Sequence, residues 1–193
     1  MDNSASVAGK RKAIAGTTLT ALFAALIAAG TFISIPLPFS PVPIVLQNFF
    51  ALISGLILGP FLGGLAVGLY LLAGAIGAPV FAGATGGFVH FLGPTGGFLF
   101  GYLLAAIIAG LIVGRPRTGA KSPLWRVILG AIAGILIVYA PGLIRLKYAI
   151  DGTWVQTLAA GFLPFVIGDA VKTAAAVIIS PRLRTLVSDQ IGG

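Results

Sequence analysis

Several residue types that support common protein chemistry are missing or rare in this sequence. Its 193 residues include no cysteine and one histidine. The lack of cysteine excludes a disulfide framework, thiolate catalysis and thiolate-bound metals. A single histidine excludes a multi-histidine metal site. The pattern G-x-x-x-x-G-K-[ST] is also missing, which excludes the phosphate-binding loop of an ATPase.

Charged residues are scarce as well, at 8% of the chain, whereas 58% of the residues are hydrophobic and the mean hydropathy is +1.09. No soluble domain of this length has such a composition, so we predict a single integral membrane domain over residues 1–193. The net charge of +8 would suggest nucleic acid as the partner of a soluble protein. Here the basic residues lie between apolar runs, as membrane topology signals do.

Six apolar runs predict the transmembrane helices of an all-α membrane protein. The predicted spans are residues 13–35, 44–58, 61–76, 97–113, 127–144 and 161–180, and Gly59-Pro60 predicts a tight turn between the second and third. Residues 1–9 are small and polar, and we expect them to be disordered. A basic segment before the first span could instead begin a signal peptide, but the span is long for one and further spans follow.

The basic residues predict the orientation of these spans. Nine of the twelve Lys and Arg lie at the N-terminus, between the fourth and fifth spans, and in the C-terminal tail. With six spans these three regions share one side, and the positive-inside rule makes that side the cytoplasm. The proline-rich, glycine-rich and five-to-six loops then face outward, where they can surround one pocket.

The sixth span, Gly161–Ser180, carries Asp169 and Lys172 near its middle. A charge in the hydrocarbon core costs on the order of 3 kcal/mol, so such residues usually serve a function. A spacing of three places both on one face of a helix. We therefore predict that this acid and base face a binding site, the alternative being a self-neutralising pair that only supports packing.

Two outward segments contribute further candidate residues. The four prolines of Ile35–Pro43 predict a structured loop rather than a helix, and Gln47 and Asn48 follow it either as ligand contacts or as plain interfacial residues. The glycine-rich segment repeats a short pattern at Gly83–Phe88 and Gly93–Phe98. It predicts a loop folded back at membrane depth, which is tolerated where it lines a cavity. Three of its aromatic residues could form an apolar wall or simply pack between helices: Phe81, Phe88 and Phe91. His90 is interpreted as a hydrogen-bonded loop residue.

The first span carries alanines at every fourth position, Ala21, Ala25 and Ala29. Small residues at this spacing form a flat helix face that another helix can approach closely. This face is either a partner interface or internal packing.

Three motifs together resemble the BioY family, the biotin-specific S components of energy-coupling factor (ECF) transporters. They are PVPIVLQN at residues 41–48, GPTGG at 93–97 and PFVIGDAVK at 164–172, and they occur in the family's order and spacing. The resemblance implies a six-helix S-component fold with the ligand near the outer face. Two positions depart from the family's pattern, Thr85 where Asn is common and Arg145-Leu146 where a Trp-Leu pair is common.

The resemblance also implies a function, which is to capture biotin outside the cell without any reaction or cofactor. The expected partners are a transmembrane coupling subunit and ATPase subunits, with docking through the alanine face of the first helix. The substrate-binding residues that we predict are Asp169, Lys172, Gln47, Thr85, Gly86, Gly87, Phe81 and Phe88. An ionised Asp only accepts hydrogen bonds and suits the ureido N–H groups, whereas Lys only donates and suits a carbonyl or carboxylate oxygen.

Three alternatives remain open at this stage. The chain could be an S component for another vitamin. It could be an intramembrane enzyme that uses Asp169, Lys172 and His90. It could also be a small channel, although a channel needs polar residues along several helices and only the sixth span has them centrally.

Overall fold

The computed structural model describes residues 2–119 and 122–192, which form long helices and one small β-hairpin. In chain order the elements are α1 (Asp2–Ala29), β1 (Ser34–Leu37), β2 (Ser40–Val45), α2 (Gln47–Ala75), α3 (Val89–Leu92), α4 (Gly96–Val113), α5 (Leu124–Ala149), α6 (Trp154–Gly161) and α7 (Val166–Ile191).

Four of these helices, α1, α2, α4 and α5, are long and apolar enough to cross a membrane. The pair α6 and α7 passes the same test as one bent unit, which gives five. Their outward surfaces carry more large apolar side chains than a soluble protein exposes, among them Leu104, Leu111, Ile132, Leu136 and Ile178. The chain is therefore a multi-pass helical membrane protein.

Helix α2 consists of two halves that fold back on each other at Gly59. That glycine has φ 82° and ψ −177°, a backbone conformation that breaks the helix, and Pro60 follows it. The two halves then run side by side, since the Tyr70 hydroxyl reaches Gln47 and the carbonyl of Gly63 lies 3.3 Å from the Ser54 hydroxyl. This is the turn that the Gly-Pro dipeptide predicts between the second and third spans.

Helix α1 differs from the prediction at both of its ends. The structure continues the helix from Asp2, whereas the sequence favoured disorder over residues 1–9; Met1 lies outside the described residues. The helix also ends at Ala29 rather than at Ile35. Just beyond it, the Thr31 hydroxyl lies 2.7 Å from the carbonyl oxygen of Val80, so residue 31 is bound to the glycine-rich segment instead of extending the helix.

The proline-rich segment forms an antiparallel hairpin in which Ser34 pairs with Val45 and Leu37 with Ser40. Prolines cannot donate to a strand ladder, but a two-stranded ribbon has two open edges where they are tolerated. The prediction excluded a helix here without identifying the strands. The Ser40 hydroxyl also donates to the carbonyl of Ala160 over 2.7 Å, which ties the hairpin to α6.

The predicted single span 161–180 is wrong in its boundaries. The chain bends by 52° between α6, which ends at Gly161, and α7, which starts at Val166. Pro164 lies in the break and lacks the N–H that a continuous helix requires. The bend places Asp169 in the first turns of α7, where the helix dipole favours a negative charge.

Small residues allow α2, α4 and α5 to pack closely. A side chain at Gly55 of α2 would place its Cβ 2.1 Å from the carbonyl oxygen of Ala106 in α4, so the two backbones are in direct contact there. Without a hydrophobic drive between helices in lipid, this close packing is what holds such helices together. The core divides into two clusters, of which the one with the aromatic residues Tyr70, Phe81, Phe98, Tyr102 and Tyr139 adjoins the β-hairpin and the glycine-rich segment.

Candidate functional site

A cavity of about 600 Å³ lies between the β-hairpin, the glycine-rich segment and the first turns of α4. Its volume is within the range of roughly 300–1,000 Å³ that is typical of small-molecule sites. Its apolar walls include Val42, Phe81, Phe98 and Leu99. The polar residues that line it are Thr31, Ser34, Ser40, Gln47, Thr85, His90, Thr95 and Tyr102. A mostly apolar cavity with a few polar groups is the usual form of a binding site for a small organic molecule.

Gln47 is held at the floor of this cavity by two hydroxyl groups. Its side-chain oxygen lies 2.7 Å from the Thr31 hydroxyl, and it accepts a hydrogen bond of 3.0 Å from Tyr70. The Thr31 hydroxyl also lies 2.7 Å from the Val80 carbonyl, and its one hydrogen can serve one acceptor at a time. The Tyr70 hydroxyl supplies the Gln47 oxygen in either case. The amide oxygen of Gln47 is thus paired inside the protein, and its NH₂ group lies beside the Tyr102 hydroxyl, where it can donate to a ligand.

Asp169 and Lys172 form an ion pair of 2.9 Å inside the helix bundle. Their side chains are 8% and 15% exposed. The carboxylate also accepts hydrogen bonds from the Asn48 amide over 2.9 Å and from the Tyr139 hydroxyl over 2.5 Å. A buried charge is costly unless it is paired and hydrogen-bonded, and each oxygen of this carboxylate has at least one donor.

The ammonium group of Lys172 has three hydrogens, and the structure provides three acceptors for them. Besides Asp169, these are the carbonyl of Val45 at 2.8 Å and the side-chain oxygen of Asn48 at 3.0 Å. Lys172 therefore joins the end of β2, the start of α2 and the first turns of α7. A ligand atom that binds Lys172 must replace one of these three acceptors.

The ion pair lies next to the cavity but not on its wall. Val45 contributes to the lining while its carbonyl accepts from Lys172, so one residue separates the ammonium group from the cavity. Asp169 faces a second, apolar groove of about 570 Å³ between α5 and α7, together with Tyr139 and Thr173. The floor of the large cavity is thus backed by a buried pair of opposite charges.

The structure brings only part of the predicted site residues to the cavity wall. Three of the eight line it: Gln47, Phe81 and Thr85. Asp169 and Lys172 lie behind the floor. Phe88 is 64% exposed and lies outside the lining.

The remaining two predicted residues shape the loop backbone. The N–H of Gly87 donates to the carbonyl of Gly74 at the end of α2 over 2.7 Å. The Cα of Gly86 approaches the backbone of Gly77 and Ala78 so closely that a Cβ would collide with it. The two glycines hold the glycine-rich segment against α2, and Thr85 continues it as a lining residue.

Sequence reasoning missed several residues of the site. Thr31, Tyr102 and Tyr139 gave no signal, because an isolated hydroxyl in an apolar span resembles ordinary packing. For Asn48 the sequence left two alternatives open, a ligand contact or a plain interfacial residue. His90 was interpreted as a plain loop residue, yet it lines the cavity and its ring contacts Phe81 edge-on at 5.6 Å between centroids.

Arg145, one of the two positions that depart from the family's pattern, connects α5 to the glycine-rich segment. Its guanidinium donates to the carbonyl oxygen of Leu92 in α3. Its Cβ packs against Gly97 at the start of α4. Arg145 therefore holds α3 and the start of α4 against α5.

Metal binding receives no support from the part of the chain that the structure describes. Within residues 2–119 and 122–192, no group of three or more His, Cys, Asp or Glu side chains could hold a metal ion.

Comparison with known proteins identifies the family. A model of the BioY family matches residues 3–189. The biotin transporter BioY of Thermotoga maritima is 42% identical over 165 residues, which cover 86% of this chain and 93% of that protein. The probable biotin transporter BioY of Pyrococcus horikoshii is 41% identical over 167 residues, which cover 86% and 94%.

A solved structure supports the same assignment. The crystal structure of the S component for biotin from an ECF-type ABC transporter superposes with a TM-score of 0.78 and 30% sequence identity, covering 95% of this chain and 94% of that one. The resemblance drawn from the three motifs, and the all-α membrane fold that it implied, are thereby confirmed. This protein belongs to the BioY family.

Proposed function

We propose that this protein is the biotin-binding S component of an ECF-type transporter, which captures its substrate on the outer side of the membrane. The observation that carries this proposal is the cavity of about 600 Å³ whose floor holds Gln47 and is backed by the Asp169–Lys172 pair. The relatives are named as transporters, and the protein needs no reaction of its own for this task.

The chemistry of biotin matches this arrangement. Its fused ring and chain are apolar and suit the walls formed by Phe81 and Phe98. Its ureido ring offers two N–H donors and one carbonyl. The NH₂ group of Gln47 suits the carbonyl, and Asp169 suits an N–H group, since a carboxylate only accepts.

Binding to Asp169 requires an exchange of hydrogen-bond partners. Asn48 and Tyr139 occupy the carboxylate in the structure, and Val45 separates Lys172 from the cavity. We infer that a ureido N–H replaces one of these donors when biotin enters. Such an exchange trades one charge-assisted hydrogen bond for another and leaves no buried charge unpaired.

Transport itself requires partners, namely a transmembrane coupling subunit and ATPase subunits. The alanines Ala21, Ala25 and Ala29 of α1 are all exposed, whereas Phe23 and Ile27 on the other side of the helix are buried. This exposure supports the proposal that the alanine face receives a helix from the coupling subunit.

The docking proposal predicts the effect of Ala25→Trp. The variant should bind biotin normally, because the residues that line the cavity begin at Thr31, after the end of α1. Co-purification with the coupling subunit and uptake into cells should both fall. Leu111→Trp is the control, since Leu111 is exposed on α4 and lies away from the alanine face. Unchanged co-purification and uptake in the Ala25 variant would place the docking surface elsewhere.

We also propose that both termini are cytoplasmic. The two halves of α2 count as two crossings, and α6 with α7 as one, which gives an even total of six and sets both ends on the same side. The outer side then carries the β-hairpin and the glycine-rich segment, so that the cavity opens outward.

Equilibrium binding to the purified protein tests the substrate. Labelled biotin should bind at one molecule per chain. Unlabelled biotin should displace the labelled biotin far more effectively than dethiobiotin or thiamine does. A preference for a different vitamin would keep the S-component fold and change the substrate. Turnover of a substrate that His90→Ala abolishes would instead support an enzyme.

A further inference from the structure

A basic cavity, separate from both the biotin cavity and the groove between α5 and α7, lies at the opposite end of the helix bundle from the proposed biotin site. It has a volume of about 600 Å³ and is lined by Leu58, Phe61 and Leu62 of α2, by Arg115, Pro116 and Arg117 after α4, and by Ile191 of α7. None of these residues is acidic. Two guanidinium groups thus share one cavity with four apolar side chains and a proline.

The cavity is built into the fold by close backbone contacts. A Cβ at Gly59 would lie 3.3 Å from both the Cα of Arg115 and the carbonyl oxygen of Gly114, so the turn of α2 packs directly on this segment. The Thr118 hydroxyl donates to the carbonyl of Ser188 over 2.9 Å, which binds the segment to α7. The position of both arginines is therefore set by the ends of three helices.

The segment is further fixed by a buried arginine that belongs to α7. Arg184 is 4% exposed and donates to the carbonyl of Leu56, the carbonyl of Gly114 and the hydroxyl of Ser122. Each of the three guanidinium nitrogens of Arg184 thus donates to an acceptor within the protein. Arg115 and Arg117 by contrast are exposed and open to a ligand.

The apolar part of the cavity includes an aromatic ring that is exposed at the surface of the bundle. Phe61 is 69% exposed, at the point where α2 turns back into the bundle. An exposed aromatic ring in the same cavity as two guanidinium groups matches a molecule with an anionic head and an apolar tail. Guanidinium groups bind phosphate through two parallel hydrogen bonds, and basic pockets on the cytoplasmic side of membrane proteins bind anionic head groups.

We propose that this cavity binds the head group of an anionic phospholipid from the cytoplasmic leaflet. The phosphate lies between Arg115 and Arg117, and an acyl chain runs along Phe61 and Leu62. The side of the membrane rests on the proposed orientation, but the site itself is independent of biotin binding.

Thermal unfolding of the purified full-length protein in neutral detergent tests this site. Phosphatidylglycerol should raise the Tm more than phosphatidylcholine with the same acyl chains, because a ligand that binds only the folded state stabilises it. The affinity for phosphatidylglycerol should be about 30-fold higher than for phosphatidylcholine, because two cations attract its net negative charge. Native mass spectrometry should show phosphatidylglycerol retained in preference to phosphatidylcholine.

The double variant Arg115→Gln/Arg117→Gln should lose the preference for phosphatidylglycerol. The control is Arg126→Gln/Arg182→Gln, which removes the same charge from exposed positions outside the cavity and should keep the preference. Equal Tm shifts for both lipids in the wild type, or the same loss in both double variants, would overturn the proposal. A full shift with inorganic phosphate alone would also overturn it, since the apolar wall would then contribute nothing.

Biotin binding serves as the independent readout of folding for these variants. Both double variants should bind biotin like the wild type, because the basic cavity shares no residue with the biotin cavity. A failure of the wild type to bind biotin would refute the proposed function and leave the lipid experiment intact.

Discussion

Replacement of Asp169 by Asn is the sharpest perturbation of the proposed binding site. The substitution keeps the shape of the side chain but removes its charge. One oxygen that now accepts hydrogen bonds becomes an NH₂ donor, and it then faces either the Tyr139 hydroxyl or the Asn48 and Lys172 donors. The ammonium group of Lys172 retains the Val45 and Asn48 oxygens but has no counter-charge.

The expected size of the effect follows from these contacts. Both members of the pair are less than a sixth exposed, so solvent screens their interaction little. A hydrogen bond to a charged group contributes about 1.5–3 kcal/mol. We expect Asp169→Asn to weaken biotin binding by ~2 kcal/mol or more, which raises the Kd about 30-fold. Lys172→Ala should weaken it by at least as much, ~2 kcal/mol, because it leaves the carboxylate unpaired.

Equilibrium binding of radiolabelled biotin measures this change, with yield and monodispersity in detergent as the test of folding. Asp189→Asn is the matched control, since it makes the same chemical change at an exposed position of the same helix. It should bind biotin like the wild type. Near-normal binding by well-folded Asp169 and Lys172 variants would show that the pair only supports packing.

Three further predictions concern the fold and the cavity. Gly55→Ala should lower the yield and Tm sharply, because its Cβ would lie 2.1 Å from a carbonyl oxygen of α4. Gly68→Ala places its Cβ in open space and should leave both unchanged. Equal Tm values for the two variants would contradict the close packing of α2 on α4. Thr31→Val should weaken biotin binding by about 1–3 kcal/mol, because it removes the hydroxyl group at Gln47 and Val80, and unchanged affinity would exclude Thr31 from positioning Gln47. Reporter fusions after residue 193 and before residue 13 should both show a cytoplasmic location, and an external signal from either would refute the topology.

The sequence predicted the parts of this structure that depend on regular patterns. Long apolar runs and a Gly-Pro dipeptide identified the helices and the turn inside α2, because the bilayer requires a fixed span length. A charged pair three residues apart in an apolar run marked the ion pair, since an isolated charge is costly there. Both inferences rest on local chemistry that one stretch of sequence contains.

The features that escaped prediction depend on distant contacts. Strands in the proline-rich segment arise from pairing of Ser34 with Val45, and the position of α6 depends on its contact with the hairpin through Ser40. The carboxylate partner Tyr139 lies 30 residues from Asp169, and nothing in its own helix distinguishes it from a packing aromatic. A single sequence shows no contact between such positions.

A structure of the protein with biotin bound tests the central claim most directly. The account predicts the fused ring in the cavity between the β-hairpin and the glycine-rich segment, with the ureido carbonyl at the Gln47 amide. One ureido N–H should lie within hydrogen-bond distance of Asp169, with Asn48 or Tyr139 displaced from the carboxylate. Biotin in the groove between α5 and α7, or biotin in the cavity with every partner of Asp169 retained, would contradict it.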